Sequence, residues 1–318
     1  MMKKIAKSFN KDEAKSRILF WQDKSYQESG SIIDIIAIKN DLKPLFISIV
    51  ESKEKIESLK KVCKKLNLIF DYKSYRTTSE AKHNQIFSSK DGIRYNVYIS
   101  KDPNLIKQAK KIILQGFTLK KHDYENFNLL LGYPNCCVKN FLEGKSAVEE
   151  LKPYVLNKIP FYNNNLLVGT ASNCRLANYE PCSYTCKKAS QLNKKILLAI
   201  KKDLPGYYQF LENYLKKPLL IWVNNQRPEF GLLDSLVSIV FEGVFKDGIL
   251  KYEKVYPHFP VNRSVKLTNS PSEKDLEALE KGNKLLIKEK YVEVYKNDLL
   301  IHKIKRLQYS AILINPTL

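Results

Sequence analysis

The chain has 318 residues, 44% of them hydrophobic and 11% aromatic, which is enough for two or three packed cores and too apolar for a disordered protein. Its formal charge of +21 comes from 54 basic residues, of which 47 are lysine and 7 arginine. Readers of base edges use arginine forks, so the charge permits a polyanionic partner without implying base-specific recognition, and the wealth of Lys, Ile, Asn and Tyr is also the bias of an AT-rich genome.

No stretch approaches eighteen consecutive apolar residues, so no membrane span is predicted. The first residues reach Lys7 and Lys11 before any apolar run long enough for a secretion signal. The expected location is therefore cytoplasmic, where thiols stay reduced and clustered cysteines point to metal or redox chemistry more than to disulfides.

Asp12 to Trp21 is compatible with a helix, and Ile32 to Ile38 is an apolar run of ambiguous type. From Pro44 the pattern sharpens: Leu45 to Val50 reads as a strand, Ser52 to Leu66 as an amphipathic helix and Leu68 to Tyr75 as a second strand. Cys63 shares the helix's apolar spacing with Ile56, Leu59 and Leu66, which makes it a core residue. Thr77 to Asp91 is loop-like, Tyr95 to Ser100 is a strand, and Pro103 to Gly116 is a helix with proline in its first turn. This order predicts a small open-faced α/β sandwich. No glycine-rich phosphate loop follows any of its strands, and Gly144-Lys145-Ser146 fails as one because Lys139 stands where the first glycine is needed.

Asp123 to Leu131 reads as a helix stopped at Gly132, after which Pro134 opens another helix that carries Cys136 and Cys137. Thiols in a first turn face unpaired N–H groups and the positive end of the helix dipole, which favours the thiolate. Neighbours on a helix diverge by about 100°, so one of the two sulfurs is expected to bind while the other packs. A second group follows Pro181, with Cys182 and Cys186 spaced as one helical turn. Cys174, in a loop-like stretch, can complete a set. Neither spacing is the C-x-x-C of a zinc knuckle, and dispersed ligands suit an iron-sulfur cluster better than zinc. Zinc is the alternative cofactor.

Gly132-Tyr133-Pro134-Asn135-Cys136-Cys137-Val138, with Phe141 behind it and Pro181-Cys182-Ser183-x-x-Cys186 downstream, resembles the signature of a mostly archaeal family, domain of unknown function 483. The resemblance covers roughly residues 95 to 190 and implies that Cys136, Cys137, Cys182 and Cys186 belong together. It implies no activity and does not extend to Cys174. The chain departs from the family pattern at Tyr179-Glu180, where a histidine precedes the second proline.

After Cys186 lysine pairs recur every seven residues, Lys187-Lys188, Lys194-Lys195 and Lys201-Lys202, with no acid from Pro181 to Lys202. On a helix they form one stripe opposite Ala189, Leu192, Ile196 and Ile200: either a solvated face or a ridge that tracks RNA or another polyanion. Leu204 to Leu215 adds a helix. Strands follow at Pro218 to Val223, at Leu236 to Phe245 paired with Ile249 to Val255, and in a hairpin from Tyr291 to Ile304 turning at Lys296-Asn297-Asp298, with one helix near Glu273 to Lys281.

The fold class expected is α+β, arranged as an α/β domain over 1–120, a helical cysteine segment over 121–215 and a mainly antiparallel β domain over 216–318. Of the four histidines, His83, His122, His258 and His302, only His122 lies near a cysteine group, and no nucleophile elbow or radical-enzyme motif is present. Catalytic residues are not assigned. Two functions stand: a protein with an iron-sulfur or thiol-redox site acting on a macromolecular partner, and a non-catalytic, zinc-stapled basic module that binds nucleic acid.

Overall fold

The computed structural model describes residues 28–50, 52–76, 93–115, 121–145, 176, 179, 181–183, 186–223, 236–246, 248–258, 271–288, 290–305 and 310–314. The stretches read as a helix at Asp12 to Trp21 and as a loop at Thr77 to Asp91 lie outside these residues, as do Cys174 and His83. The fold is α+β, in two compact units, each organised by its own antiparallel sheet.

The first sheet has strand order β1-β3-β2, from β1 (Leu45–Val50), β2 (Ile69–Arg76) and β3 (Ile93–Ser100). Side-chain alternation sorts its residues into two cores. On one face Phe46, Val50, Tyr95, Val97 and Ile99 meet Ile35 and Ile38 of α1 (Glu28–Lys39) and Ile56, Leu59 and Cys63 of α2 (Lys53–Lys65). Ser52 caps α2, its hydroxyl accepting from the Lys55 N–H at 3.2 Å. Cys63 sits in this core as its spacing predicts, and burial pushes its thiol up to about 12. On the other face Leu45 and Tyr98 meet Ile106 and Ala109 of α3 (Pro103–Gln115), joined by Phe127 and Leu130 of α4 (Lys121–Leu130). The sandwich is thus not open-faced: α3 and α4 cover the side expected to be bare. The apolar run at Ile32 to Ile38 is helical, and Ile33, Ile35, Ile36, Ala37 and Ile38 are all buried. A helix buried all round, here with Asp34 among its buried residues, has no polar face and so no period to reveal it.

The second sheet has seven strands in the order β10-β4-β5-β6-β7-β8-β9. They are β4 (Leu219–Val223), β5 (Leu236–Lys246), β6 (Ile249–His258), β7 (Lys284–Ile287), β8 (Tyr291–Lys296), β9 (Leu299–Lys305) and β10 (Ser310–Ile314). Both expected hairpins form. Gly248 has φ +78° at the first turn, and Asn297 and Asp298 have φ +47° and +67° at the second, the double left-handed conformation that two-residue hairpins favour. One helix, Glu273–Lys281, opens with a capping box between Ser272 and Asp275. Its Leu279 joins Phe241, Leu250, Tyr252, Leu285, Val292 and Val294 in the core. His302 places Nε2 2.7 Å from an Asp275 carboxylate oxygen and ties β9 to that helix. No described helix is long and apolar enough to cross a membrane.

Candidate metal centre

The first pair of cysteines is placed by a helix–turn–helix whose turn residues each have a mechanical reason. α4 ends in a Schellman motif: Gly132 N–H donates to the Leu129 carbonyl at 2.9 Å and Tyr133 N–H to that of Asn128 at 3.3 Å. Gly132 has φ +79°, and a Cβ there would lie 2.7 Å from Pro44 Cδ, so both conformation and packing exclude a side chain. Tyr133 sets its ring 5.3 Å from Lys43 Nζ, and Lys43 pairs with the buried carboxylate of Asp34. Desolvation raises the Tyr133 hydroxyl pKa, and the negative charge of Asp34 raises it further, so the phenol stays protonated. Pro134 then accepts through its carbonyl from Cys137 N–H at 2.8 Å and Val138 N–H at 3.1 Å, starting α5 (Asn135–Leu142). Gly144, with φ +69°, lies just past that helix, and its neighbour Lys145 pairs with Glu143 at 2.7 Å.

Cys136 and Cys137 therefore occupy the first turn of α5, half-buried and buried respectively. The second pair differs from its predicted form. Cys182 and Cys186 precede α6 (Lys187–Asp203) instead of lying along a helix. Cys186 N–H donates to the Ser183 carbonyl at 3.1 Å, and the Cys186 carbonyl accepts from Ser190 at 2.9 Å, which puts Cys186 at the N-terminal boundary of α6.

The four sulfurs of Cys136, Cys137, Cys182 and Cys186 lie within 4.8 Å of one another, with Cys137 and Cys186 buried and the other two half-buried. None is in a disulfide. The vicinal sulfurs approach to 3.9 Å, so both belong to the group, and the expectation that one would pack elsewhere is corrected. A 100° divergence at Cα does not hold apart sulfurs that lie one atom beyond Cβ. Four thiols at this separation can hold a metal ion. Three of them sit at helix N-termini, where the dipoles of α5 and α6 offset thiolate charge.

The supporting residues Asp34, Lys43 and Pro44 left no signal in the sequence, because they stand about ninety positions upstream of the motif they brace. No histidine joins the cysteine group among the described residues. His122 lies in α4, and nothing is described of its side chain. All six lysines of the stripe, Lys187, Lys188, Lys194, Lys195, Lys201 and Lys202, are exposed, while Ala189, Ile196 and Ile200 are buried and Leu192 is half-buried.

Residues 102–215 match the model of a family described as a protein of unknown function, DUF483. The matched stretch contains the four clustered cysteines and the lysine stripe. Neither the curated proteins nor the solved structures contain a match to the chain.

Proposed function

We propose that the DUF483 segment, the family to which residues 102–215 belong, is a non-catalytic module stapled by one metal ion on Cys136, Cys137, Cys182 and Cys186, with zinc before iron. The mutual approach of the four sulfurs within 4.8 Å carries this reading. A tetrahedral zinc site with bonds of about 2.3 Å spaces its sulfurs by about 3.8 Å. The vicinal pair stands at 3.9 Å. A cluster of two or four irons distributes the four thiolates over more than one iron and so spreads the set of sulfurs wider than a single ion does. Four protein ligands also leave no open position for a substrate, which is the pattern of structural sites. The staple joins the first turn of α5 to the start of α6, about fifty positions apart in the sequence, and a cross-link over that separation restricts the unfolded chain.

Anaerobic purification followed by elemental analysis and absorption spectroscopy tests this. A colourless protein with about one zinc per chain is expected, and Cys182→Ser or Cys186→Ser should abolish stoichiometric metal and lower thermal stability. Cys63→Ser should leave metal content unchanged and cost only core stability, about 1–2 kcal/mol. A brown protein absorbing at about 400 nm would instead establish the iron-sulfur reading. A protein with neither metal, whose Cys136 or Cys137 alkylates unusually fast at neutral pH, would establish the thiol-redox reading.

A further inference from the structure

The lysine stripe is the feature that a metal staple leaves unused. α6 buries Ala189, Asn193, Ile196 and Ile200 at 0–1% exposure and turns all six lysines outward. Between the pairs the exposed face carries only neutral residues, Gln191 and Leu198, so no two lysines stand three or four residues apart, where like charges destabilise a helix. The single acid of the helix, Asp203, lies at its C-terminal end, where it accepts from Lys39 Nζ at 2.8 Å and from Asn40 Nδ2 at 2.7 Å and also feels the charge of Lys202. Some lysines elsewhere are matched with carboxylates, as in Lys43–Asp34, Lys101–Asp41, Lys217–Glu242 and Lys303–Glu293, while others, such as Lys60, Lys64 and Lys107, are not; what sets α6 apart is the regular spacing of its pairs on one exposed face. Among the described residues none of the six in the stripe has such a pair.

From this we infer that the exposed face of α6 is a docking ridge for the phosphodiester backbone of single-stranded RNA. The ridge presents three doubled positive charges about 10 Å apart over about 22 Å of helix, a length along which a single strand offers several phosphates, up to about six where its bases stay stacked. Lysine supplies point charges without forks, which suits backbone tracking and not base reading. At the end of the ridge Lys201 Nζ lies 5.2 Å from the centre of the half-exposed Tyr208 ring, an aromatic face on which an unpaired base can stack. Unpaired bases are the usual state of single-stranded RNA, not of a duplex. An anionic membrane fits less well. A helix that lies in a lipid interface needs an exposed apolar face, and here that face is buried in the protein, leaving Leu198 as the one apolar side chain among the lysines.

The inference does not rest on the metal, and the test separates the two. Full-length protein of measured metal content is titrated with a fluorescent single-stranded RNA of mixed sequence at 50 and 200 mM salt. Six backbone contacts predict that the wild type loses about 300-fold in affinity across that range. Changing Lys187, Lys194 and Lys201 together to glutamine should weaken binding at 50 mM salt and reduce the salt effect to about 20-fold, with metal content and melting temperature unchanged. The same three changed to arginine should restore both affinity and salt dependence. An equal loss from glutamine at the exposed Lys101, Lys107 and Lys111 would overturn the ridge in favour of diffuse charge. No RNA binding by the wild type at 50 mM salt, or tighter binding to phosphatidylserine vesicles than to RNA, would also overturn it.

Discussion

At the scale of single residues the cysteine motif is a problem of backbone placement before it is one of ligation. Two glycines flank α5 with the same left-handed backbone and opposite surroundings. A Cβ at Gly132 meets Pro44 Cδ at 2.7 Å, whereas one at Gly144 finds nothing within 4 Å. Gly144→Ala should therefore cost only the conformational term, about 1 kcal/mol, and Gly132→Ala roughly 2–3 kcal/mol, read as shifts in urea unfolding midpoint. Equal costs would mean that the contact with Pro44 does not fix the turn. The cysteines themselves were legible because proline and cysteine mark their neighbourhoods locally. The glycine was legible as a helix stop, but its second reason for being glycine was not, because Pro44 lies far away in sequence and no period connects the two.

At the scale of elements α6 is fixed at one end by Cys186 and near the other by Asp203. Burial alone would raise the Asp203 carboxyl, but hydrogen bonds from Lys39 and Asn40 and the charge of Lys39 hold it below its ordinary 3.8. A depressed carboxylate stabilises the fold above its unfolded pKa and loses that contribution as pH falls through its folded value. Asp203→Asn should thus cost about 1–2 kcal/mol at pH 7, with the gap to wild type closing as pH falls below the ordinary carboxylate range. A gap independent of pH in chemical denaturation would assign the effect to packing instead. Helices with a polar face, such as α2, α3 and α6, were readable from their spacing, as were the two hairpins from their turn residues. α1 was not, since residues 33–38 are buried on every side and leave no polar stripe to mark a period. The four-residue spacing of Cys182 and Cys186 mimics one turn of a helix, but the helix begins only at Lys187. β7 and β10 were missed: each is a short run with no turn chemistry of its own, made a strand by the neighbours it pairs with.

At the scale of the whole molecule the two sheets differ in what they need from the rest of the chain. The seven-stranded sheet draws every strand from Leu219 to Ile314, with its own helix and core. A fragment spanning 216–318 should therefore give a β-type circular dichroism spectrum and unfold cooperatively, and an unfolded fragment would place its stability elsewhere. The first sheet instead lies among helices that lead into the cysteine segment, so its truncation is expected to disturb metal binding as well. The strand order of the larger sheet has a further consequence for synthesis in the cell. β4 is the first of its strands to be made, yet one of its two neighbours is β10, the last, about ninety residues later. At 5–20 residues per second the ribosome takes roughly five to twenty seconds to deliver that partner. For that interval one edge of β4, whose sequence is Leu-Leu-Ile-Trp-Val, has no strand to pair with, and a nascent chain offering such an edge is a substrate for chaperones.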